Sequence, residues 1–271
     1  MPELPEVETT RRGIEAHVSG QIIAAVEVRQ PKLRWRVPPG LSRKLKDARI
    51  DCLERRGKYL LFKTSSGTLI VHLGMSGSLR MVVDGAPPQA HDHVDLRLGN
   101  GLTLRLRDPR RFGAVLWTRS DPLRHPLLAA LGPEPLSDGF DGAWLRQKAH
   151  GRKAAVKTLV MNSRVVVGIG NIYASEALFL AGINPARSAG RISARRLDGL
   201  AAAVKQVLEE ALEQGGTTLR DFVNGAGEPG YFAQSLRVYG REGEPCVNCG
   251  APVRARVLAQ RASYYCPRCQ R

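Results

Sequence analysis

Four cysteines near the end of the chain restrict its folding more than any other feature. Cys246-x2-Cys249 and Cys266-x2-Cys269 stand sixteen residues apart, the spacing of a four-thiolate zinc site. Each x2 pair lets two sulfurs converge on one tetrahedral ion, and Gly250 permits a tight knuckle after the first pair. Between the pairs, 253–259 and 262–266 read as short strands with Gln260 and Arg261 near their turn, so the expected unit is a zinc ribbon. Two disulfides are the alternative in an exported protein. The Met-Pro-Glu-Leu-Pro-Glu opening argues against that, being acidic where an export leader is basic. Four thiolates fill the coordination sphere, so one zinc ion is expected to hold structure and not to activate water. Cys52 lies alone in an apolar-flanked segment and is expected to be an inert core thiol.

The ribbon is also a charge carrier. Residues 231–271 hold seven arginines against two glutamates, and the whole chain of 271 residues has a formal charge of +16. Zinc displays that excess on a rigid element, which points to a polyanion such as nucleic acid. Composition (43% hydrophobic, 24% charged) is that of a folded protein, and the length suits two domains. No stretch approaches the 18 or so apolar residues of a membrane span; 165–175, for example, is interrupted by glycine and polar residues.

Periodicity changes along the chain. Val7, Ile14 and Val18 share a helical face before Gly20. Short β-rich runs follow at 21–29, 59–64, 68–72, 79–83, 94–98, 102–106 and 114–117, separated by turn residues, the rhythm of a β-sandwich or barrel-like domain. Gly132-Pro133-Glu134-Pro135 reads as a linker. Beyond it, 154–161 and 171–181 are expected helices joined by Gly168-Ile169-Gly170. Ser193 is placed to cap a longer helix with Leu197, Leu200, Val204, Leu208 and Leu212 on one stripe, ending at Gly215-Gly216.

Removal of Met1 would leave Pro2 as the chain terminus. A terminal proline is a secondary amine and can attack an aldehyde-level carbon to give an iminium, with Glu3 and Glu6 beside it for proton transfer. Pro5-Glu6 is equally an ordinary helix start, and residue types alone leave both readings open.

The run Pro2-Glu3-Leu4-Pro5-Glu6-Val7-Glu8-Thr9 with Arg11-Arg12-Gly13 resembles the opening of the formamidopyrimidine-DNA glycosylases, bacterial repair enzymes for oxidised purines. The resemblance continues through Arg56-Gly57-Lys58-Tyr59-Leu60-Leu61, His72-Leu73-Gly74-Met75-Ser76-Gly77, His91-Asp92-His93-Val94-Asp95 and Asp108-Pro109-Arg110-Arg111-Phe112-Gly113. It resumes in Val167-Gly168-Ile169-Gly170-Asn171-Ile172-Tyr173, Glu213-Gln214-Gly215-Gly216-Thr217-Thr218 and Gly230-Tyr231-Phe232, and in Gln260-Arg261-Ala262 with the zinc cysteines. It therefore spans essentially the whole chain.

The resemblance implies roles. Pro2 is the nucleophile at C1′, Glu3 the neighbouring acid/base, and Glu6 part of the same network. Lys58 contacts phosphate and moves a proton during strand cleavage, and Arg261 grips the phosphates flanking the lesion. Met75, Arg110 and Phe112 fill the gap left by an extruded nucleotide, although spacing alone would bury Met75 and Phe112 in the β core. Asn171, by position an N-cap, meets phosphate at a helix–two-turns–helix motif, and His91 and Arg152 are further DNA contacts. Close relatives are expected to carry lysine where this chain has Arg152; arginine keeps the charge. The region from about 217 to 231, including the glycine-rich 224–230, includes a mobile loop over the flipped base in this family.

The expected fold is α+β and multidomain. A β-sandwich with an N-terminal helix (1–132) leads through a linker (133–137) to a helix–two-turns–helix domain (138–230) and a four-cysteine zinc ribbon (231–271), with DNA in the cleft between domains. The expected activity is that of a bifunctional glycosylase and AP lyase of base excision repair. Its partner is duplex DNA containing oxidised purines or abasic sites. Zinc is structural, no catalytic metal or organic cofactor takes part, and the protein is a cytoplasmic, nucleoid-associated monomer without membrane contact. One rival resembles endonuclease VIII and prefers oxidised pyrimidines; the opening with Leu4, Met75 and residues 108–113 favour the purine enzyme. A second rival is a non-catalytic zinc-ribbon nucleic-acid-binding protein, which leaves Pro2 beside Glu3 unexplained.

Overall fold

Helix α1 (Leu4–Val18) forms where an apolar stripe and a strong start signal coincide. Pro5 stands in the first turn, and Glu3 and Glu6 make a capping box in which the Glu6 carboxylate accepts the Glu3 N–H at 2.7 Å. Leu4, Val7, Ile14 and Val18 are buried, and Gly20 at φ 78 lets the chain turn away. The computed structural model describes residues 1–215 and 236–271. They fall into two units, 1–129 with Gly215, and 130–214 with 236–271.

The first unit is a β-sandwich. One sheet has the order β1 (Ile23–Val28), β6 (Asp92–Leu98), β7 (Leu102–Arg107), β5 (Ser78–Val83). The other runs β2 (Ile50–Arg56), β3 (Tyr59–Thr64), β4 (Gly67–His72), β8 (Ala114–Thr118), all antiparallel. Among the described residues, a cluster of 23 buried apolar side chains from both sheets, α1, the short α2 (Leu41–Leu45) and adjoining loops forms one core. Away from that core, Arg105 is buried against Asp95 at 2.7 Å and Asp92 at 3.6 Å, while Arg29 and Arg80 complete the pairing of the same aspartates. Paired charges explain why β6 is buried along nearly its whole length despite carrying Asp92, His93 and Asp95.

The second unit is helical. It contains α3 (Gly142–Ala149), α4 (Val156–Val160), α5 (Asn171–Leu180) and α6 (Ala194–Glu213), then the hairpin β9 (Arg254–Leu258) and β10 (Arg261–Tyr265). Helix α6 buries Leu197, Leu200, Val204 and Leu208 as its stripe requires, while Leu212 is half-buried. Gly132-Pro133-Glu134-Pro135, a linker by composition, is tied into this unit: Gly132 N donates to Ser163 O, and Val167 N to Pro133 O. Among the described residues no helix is long and apolar enough to cross a membrane.

Several sequence expectations need correction. Strand β2 lies outside the β-rich runs that periodicity marks. A bulge between Ile50 and Cys52 breaks its alternation, leaving Ile50 and Leu53 as its buried apolar residues among Asp51, Glu54, Arg55 and Arg56. Cys52 is half-buried on that strand, not in the core, and desolvation together with the neighbouring Glu54 charge pushes its thiol pKa up. Helix α3 lies outside the expected helices too; Asp141 caps it by accepting the Trp144 N–H. The helix expected over 154–161 is the shorter α4. Ser193 stands at the N-cap of α6 without a side-chain capping bond. The segment 216–235, with the expected loop over the flipped base, lies outside the described residues.

Candidate active site and nucleic-acid interface

In the first unit, the capping box that starts α1 also places the candidate nucleophile. Pro2, Glu3 and Glu6 are all buried at the head of the helix, and the Glu6 side chain is committed to the Glu3 backbone. Glu6 thus orients Glu3 and the residue before it.

Lys58 is presented by the β2–β3 turn. Arg56 pairs with Tyr59, so Gly57 and Lys58 are the two turn residues, and Gly57 sits at φ 56 as the first position of a tight hairpin turn demands. Close by, His72 lies against the Tyr59 ring, with centroids 4.7 Å apart. Desolvation first, then the charges of Lys58 and Arg34, bring the His72 pKa down to about 4. The imidazole is therefore neutral near pH 7. Its Nδ1 accepts the Gly74 N–H at 3.0 Å, which leaves Nε2 to carry the proton.

Gly74 opens the loop that carries Met75. That loop and 108–113 touch through their backbones: a Cβ on Gly74 would collide with the Phe112 carbonyl carbon. Both are organised by Asp108, which is fully buried. One oxygen accepts the Gly113 N–H at 2.6 Å, and the other accepts the Ser76 hydroxyl at 3.1 Å. Ser76 Oγ in turn accepts the Arg110 N–H at 3.3 Å. His91, exposed at φ 73, accepts the Asp108 N–H through its carbonyl, and His93 Nε2 donates to Asp108 O at 2.8 Å.

Braced in this way, Met75 is 39% exposed and Phe112 42%, with the Arg110 guanidinium 5.1 Å from the Phe112 ring centroid. Spacing alone would have buried both apolar residues. The structure instead displays both, Phe112 with a cation over its ring, a surface suited to stand in for a lost base.

In the second unit, Asn171 is the first residue of α5 and Gly170 is the N-cap, correcting the expected cap. Asn171 Nδ2 donates to Ala262 O at 2.9 Å, while its buried Oδ1 has no hydrogen-bond partner among the described residues. Ala262 follows Arg261, the exposed first residue of β10. The two turn residues before it, Ala259 and Gln260, adopt φ 45 and 62. Buried Lys157 of α4 reaches the same place, donating to Ala262 O at 3.0 Å and Ser263 Oγ at 2.9 Å. The base of the ribbon is fixed by Glu176 of α5, whose carboxylate accepts the backbone N–H groups of Arg237, Val238 and Tyr239. Arg152 is exposed in the turn after α3, its carbonyl accepting Ser188 Oγ and Gly190 N.

The four cysteine sulfurs lie within 4.8 Å of one another, with Cys246–Cys269 at 3.9 Å and Cys249–Cys266 at 3.5 Å. A tetrahedral zinc with bonds near 2.3 Å requires sulfurs about 3.8 Å apart. Burial, then the other three sulfurs, would push the Cys269 thiol up to about 12, and a cation relieves that crowding by holding thiolates. The residues fit one structural zinc.

Residues 1–115 match the formamidopyrimidine-DNA glycosylase N-terminal domain, 131–223 the formamidopyrimidine-DNA glycosylase H2TH domain, and 243–271 the zinc finger found in FPG and IleRS. The chain belongs to the formamidopyrimidine-DNA glycosylase family. The glycosylase of Methylococcus capsulatus is 60% identical over 271 residues, all of both chains. The MutM (Fpg) structure from Thermus thermophilus is 41% identical with a TM-score of 0.89, covering 99% of this chain and 98% of that one. A Lactococcus lactis Fpg (MutM) solved with Fapy-dG-containing DNA is 33% identical with a TM-score of 0.90, covering 99% and 100%.

Within this glycosylase fold the sequence-derived residues form separate groups: Pro2, Glu3 and Glu6; Lys58 beside His72; Met75, Arg110, Phe112 and His91 around Asp108; Asn171 beside Arg261. Arg152 stands apart on its own turn. Sequence reasoning does not single out Asp108, His72, Lys157 or Glu176. The signal available for Asp108 and His72 is membership of the quoted motifs, whereas Lys157 and Glu176 sit on helical faces that otherwise read as core.

Proposed function

We propose that this chain excises oxidised purines, including 8-oxoguanine and formamidopyrimidines, from duplex DNA and then cuts the strand at the resulting abasic site. The observation that carries this reading is the exposed Met75–Arg110–Phe112 group braced by buried Asp108. A β domain has little reason to hold two large apolar side chains in water unless they enter something, and a duplex with one nucleotide extruded offers the space.

The reaction follows from the residues at the head of α1. With Met1 removed, the Pro2 amine attacks C1′, the bond from C1′ to the base breaks, and Glu3 handles the proton transfers that free the base and open the sugar. An iminium then joins Pro2 to C1′. It acidifies C2′, and loss of a C2′ proton expels the 3′ phosphate; a second elimination expels the 5′ phosphate. Lys58 holds phosphate and moves a proton in these steps. Arg261 and Asn171, with His91 and Arg152 as further contacts, hold the backbone. Zinc shapes the ribbon that carries Arg261 and takes no part in bond making. One chain carries the nucleophile, the wedge and the phosphate contacts, so it acts as a monomer, in the cytoplasm with the chromosome.

Purine over pyrimidine choice is supported by the Fapy-dG-containing DNA of the Lactococcus lactis relative. The test is a paired excision assay on duplexes carrying 8-oxoguanine, a formamidopyrimidine or an oxidised pyrimidine. Faster release of both purine lesions, with cleavage on both sides of the gap, is expected. Preference for the pyrimidine would transfer the chain to the endonuclease VIII reading, and binding without release would leave a non-catalytic DNA-binding protein.

A further inference from the structure

We propose that Glu8 and Arg55 are positioning residues that fix Lys58 relative to Pro2, and so set how closely strand cleavage follows base release. The proposal rests on the glycosylase and lyase reading above.

The helix that begins with Pro2 and Glu3 reaches Glu8 after one more turn, and Glu8 is 8% exposed. Its carboxylate accepts Arg11 Nε at 3.1 Å and Arg12 Nε at 3.0 Å from the same helix, and Arg55 Nε at 3.0 Å from β2. Burial alone would raise the Glu8 pKa, but the hydrogen bonds and charges of Arg11 and Arg55 outweigh it and hold the group below the usual carboxylate range. Arg11 adds a second tie, donating to Leu53 O at 3.3 Å.

The other end of Arg55 is what gives the pair a function. Its Nη1 donates to Gly57 O at 3.0 Å. That oxygen belongs to the peptide joining Gly57 to Lys58, and a peptide is planar. Fixing the carbonyl fixes the plane, and with it the direction in which Lys58 leaves the backbone. Gly57 has no side chain to do this, and at φ 56 it has a wide choice of neighbouring conformations. One guanidinium thus links a carboxylate on the nucleophile-bearing helix to the carbonyl that aims the lysine. Arginine suits the task because its planar fork presents donors on separate nitrogens; a lysine ammonium cannot hold both acceptors in that geometry.

The experiment is single-turnover kinetics with the full-length zinc-loaded protein on duplex containing 8-oxoguanine opposite cytosine. Total abasic sites are revealed by alkali and direct strand cleavage is scored without it. Arg55→Lys keeps the charge, and Glu8→Gln keeps the shape with one fewer charge. Both are expected to release base within about threefold of the native rate and to cut the strand about tenfold more slowly, so an alkali-labile intermediate accumulates. Arg12→Ala removes a Glu8 partner on the helix side alone and is expected to leave the ratio of the two rates unchanged. Thermal unfolding of each variant reports folding. Base release and cleavage falling together, or an unchanged ratio in both bridging variants, would overturn the positioning role. A native protein that releases the base but forms no borohydride-trapped adduct would instead sink the Pro2 imine reading, and this proposal with it.

Discussion

Two exposed arginines beside tight turns are held in opposite ways. Arg110 lies on an irregular loop whose neighbour Arg111 sits at φ 55. Its geometry is imposed by one buried carboxylate, Asp108, in a unit with a 23-residue apolar core. Arg261 begins a regular strand in a ribbon whose core is small, made from Val238, Cys246, Ala251, Val253 and Cys266 against Phe179 of α5. Four sulfurs, with Lys157 and Asn171, do for Arg261 what a large core does for Arg110. A metal site can replace apolar mass where a short segment must display charge rigidly.

The comparison predicts unequal sensitivities. The largest effect is expected from zinc removal, which should expose the ribbon to proteolysis and weaken duplex binding on the order of 100-fold, while the β-sandwich stays folded. Chelation that strips the metal without changing affinity would break the comparison on the ribbon side. On the sandwich side, Asp108→Ala leaves the buried Gly113 N–H without its acceptor and should cost about 1–3 kcal/mol in thermal unfolding. Asp108→Asn, which can still accept that bond, should cost less; equal losses would mean that the hub acts through something other than this bond.

Arg261→Ala should lower affinity and reduce the slope of log affinity against log salt by about one phosphate contact. An unchanged slope would remove Arg261 from the phosphate contacts. The smallest effect concerns His72. Its folded pKa is depressed to about 4, below the ordinary histidine value, so as pH falls the unfolded chain takes up a proton that the folded chain refuses. Stability is fully present above pH 6.5 and declines from there towards pH 4. Between pH 7 and 6 the loss is of the order of 0.5 kcal/mol, and His72→Asn should flatten it.

The same contrast separates what is legible in the amino-acid order from what is not. The cysteine spacing is a local code, and it locates the ribbon because two x2 pairs bring their sulfurs together whatever surrounds them. Strands such as β3 and β7 show themselves through periodicity; β2 does not, because its bulge shifts the phase and its outer face is charged. The roles of Met75 and Phe112 come only from resemblance, since hydrophobicity assigns such residues to a core. Asp108 is invisible as a hub because its partners, Ser76 and Gly113, stand 32 and 5 residues away and meet only once two loops are folded. The Glu8–Arg55 bridge is hidden for the same reason, its partners standing 47 residues apart.

The central claim is that reaction starts at the amine of Pro2. Borohydride added during turnover of duplex containing 8-oxoguanine opposite cytosine tests it directly. The account predicts a covalent protein–DNA adduct with the mature protein and none when Met1 is retained. Base excision without a trappable adduct, or an adduct that forms equally well with Met1 in place, would contradict it.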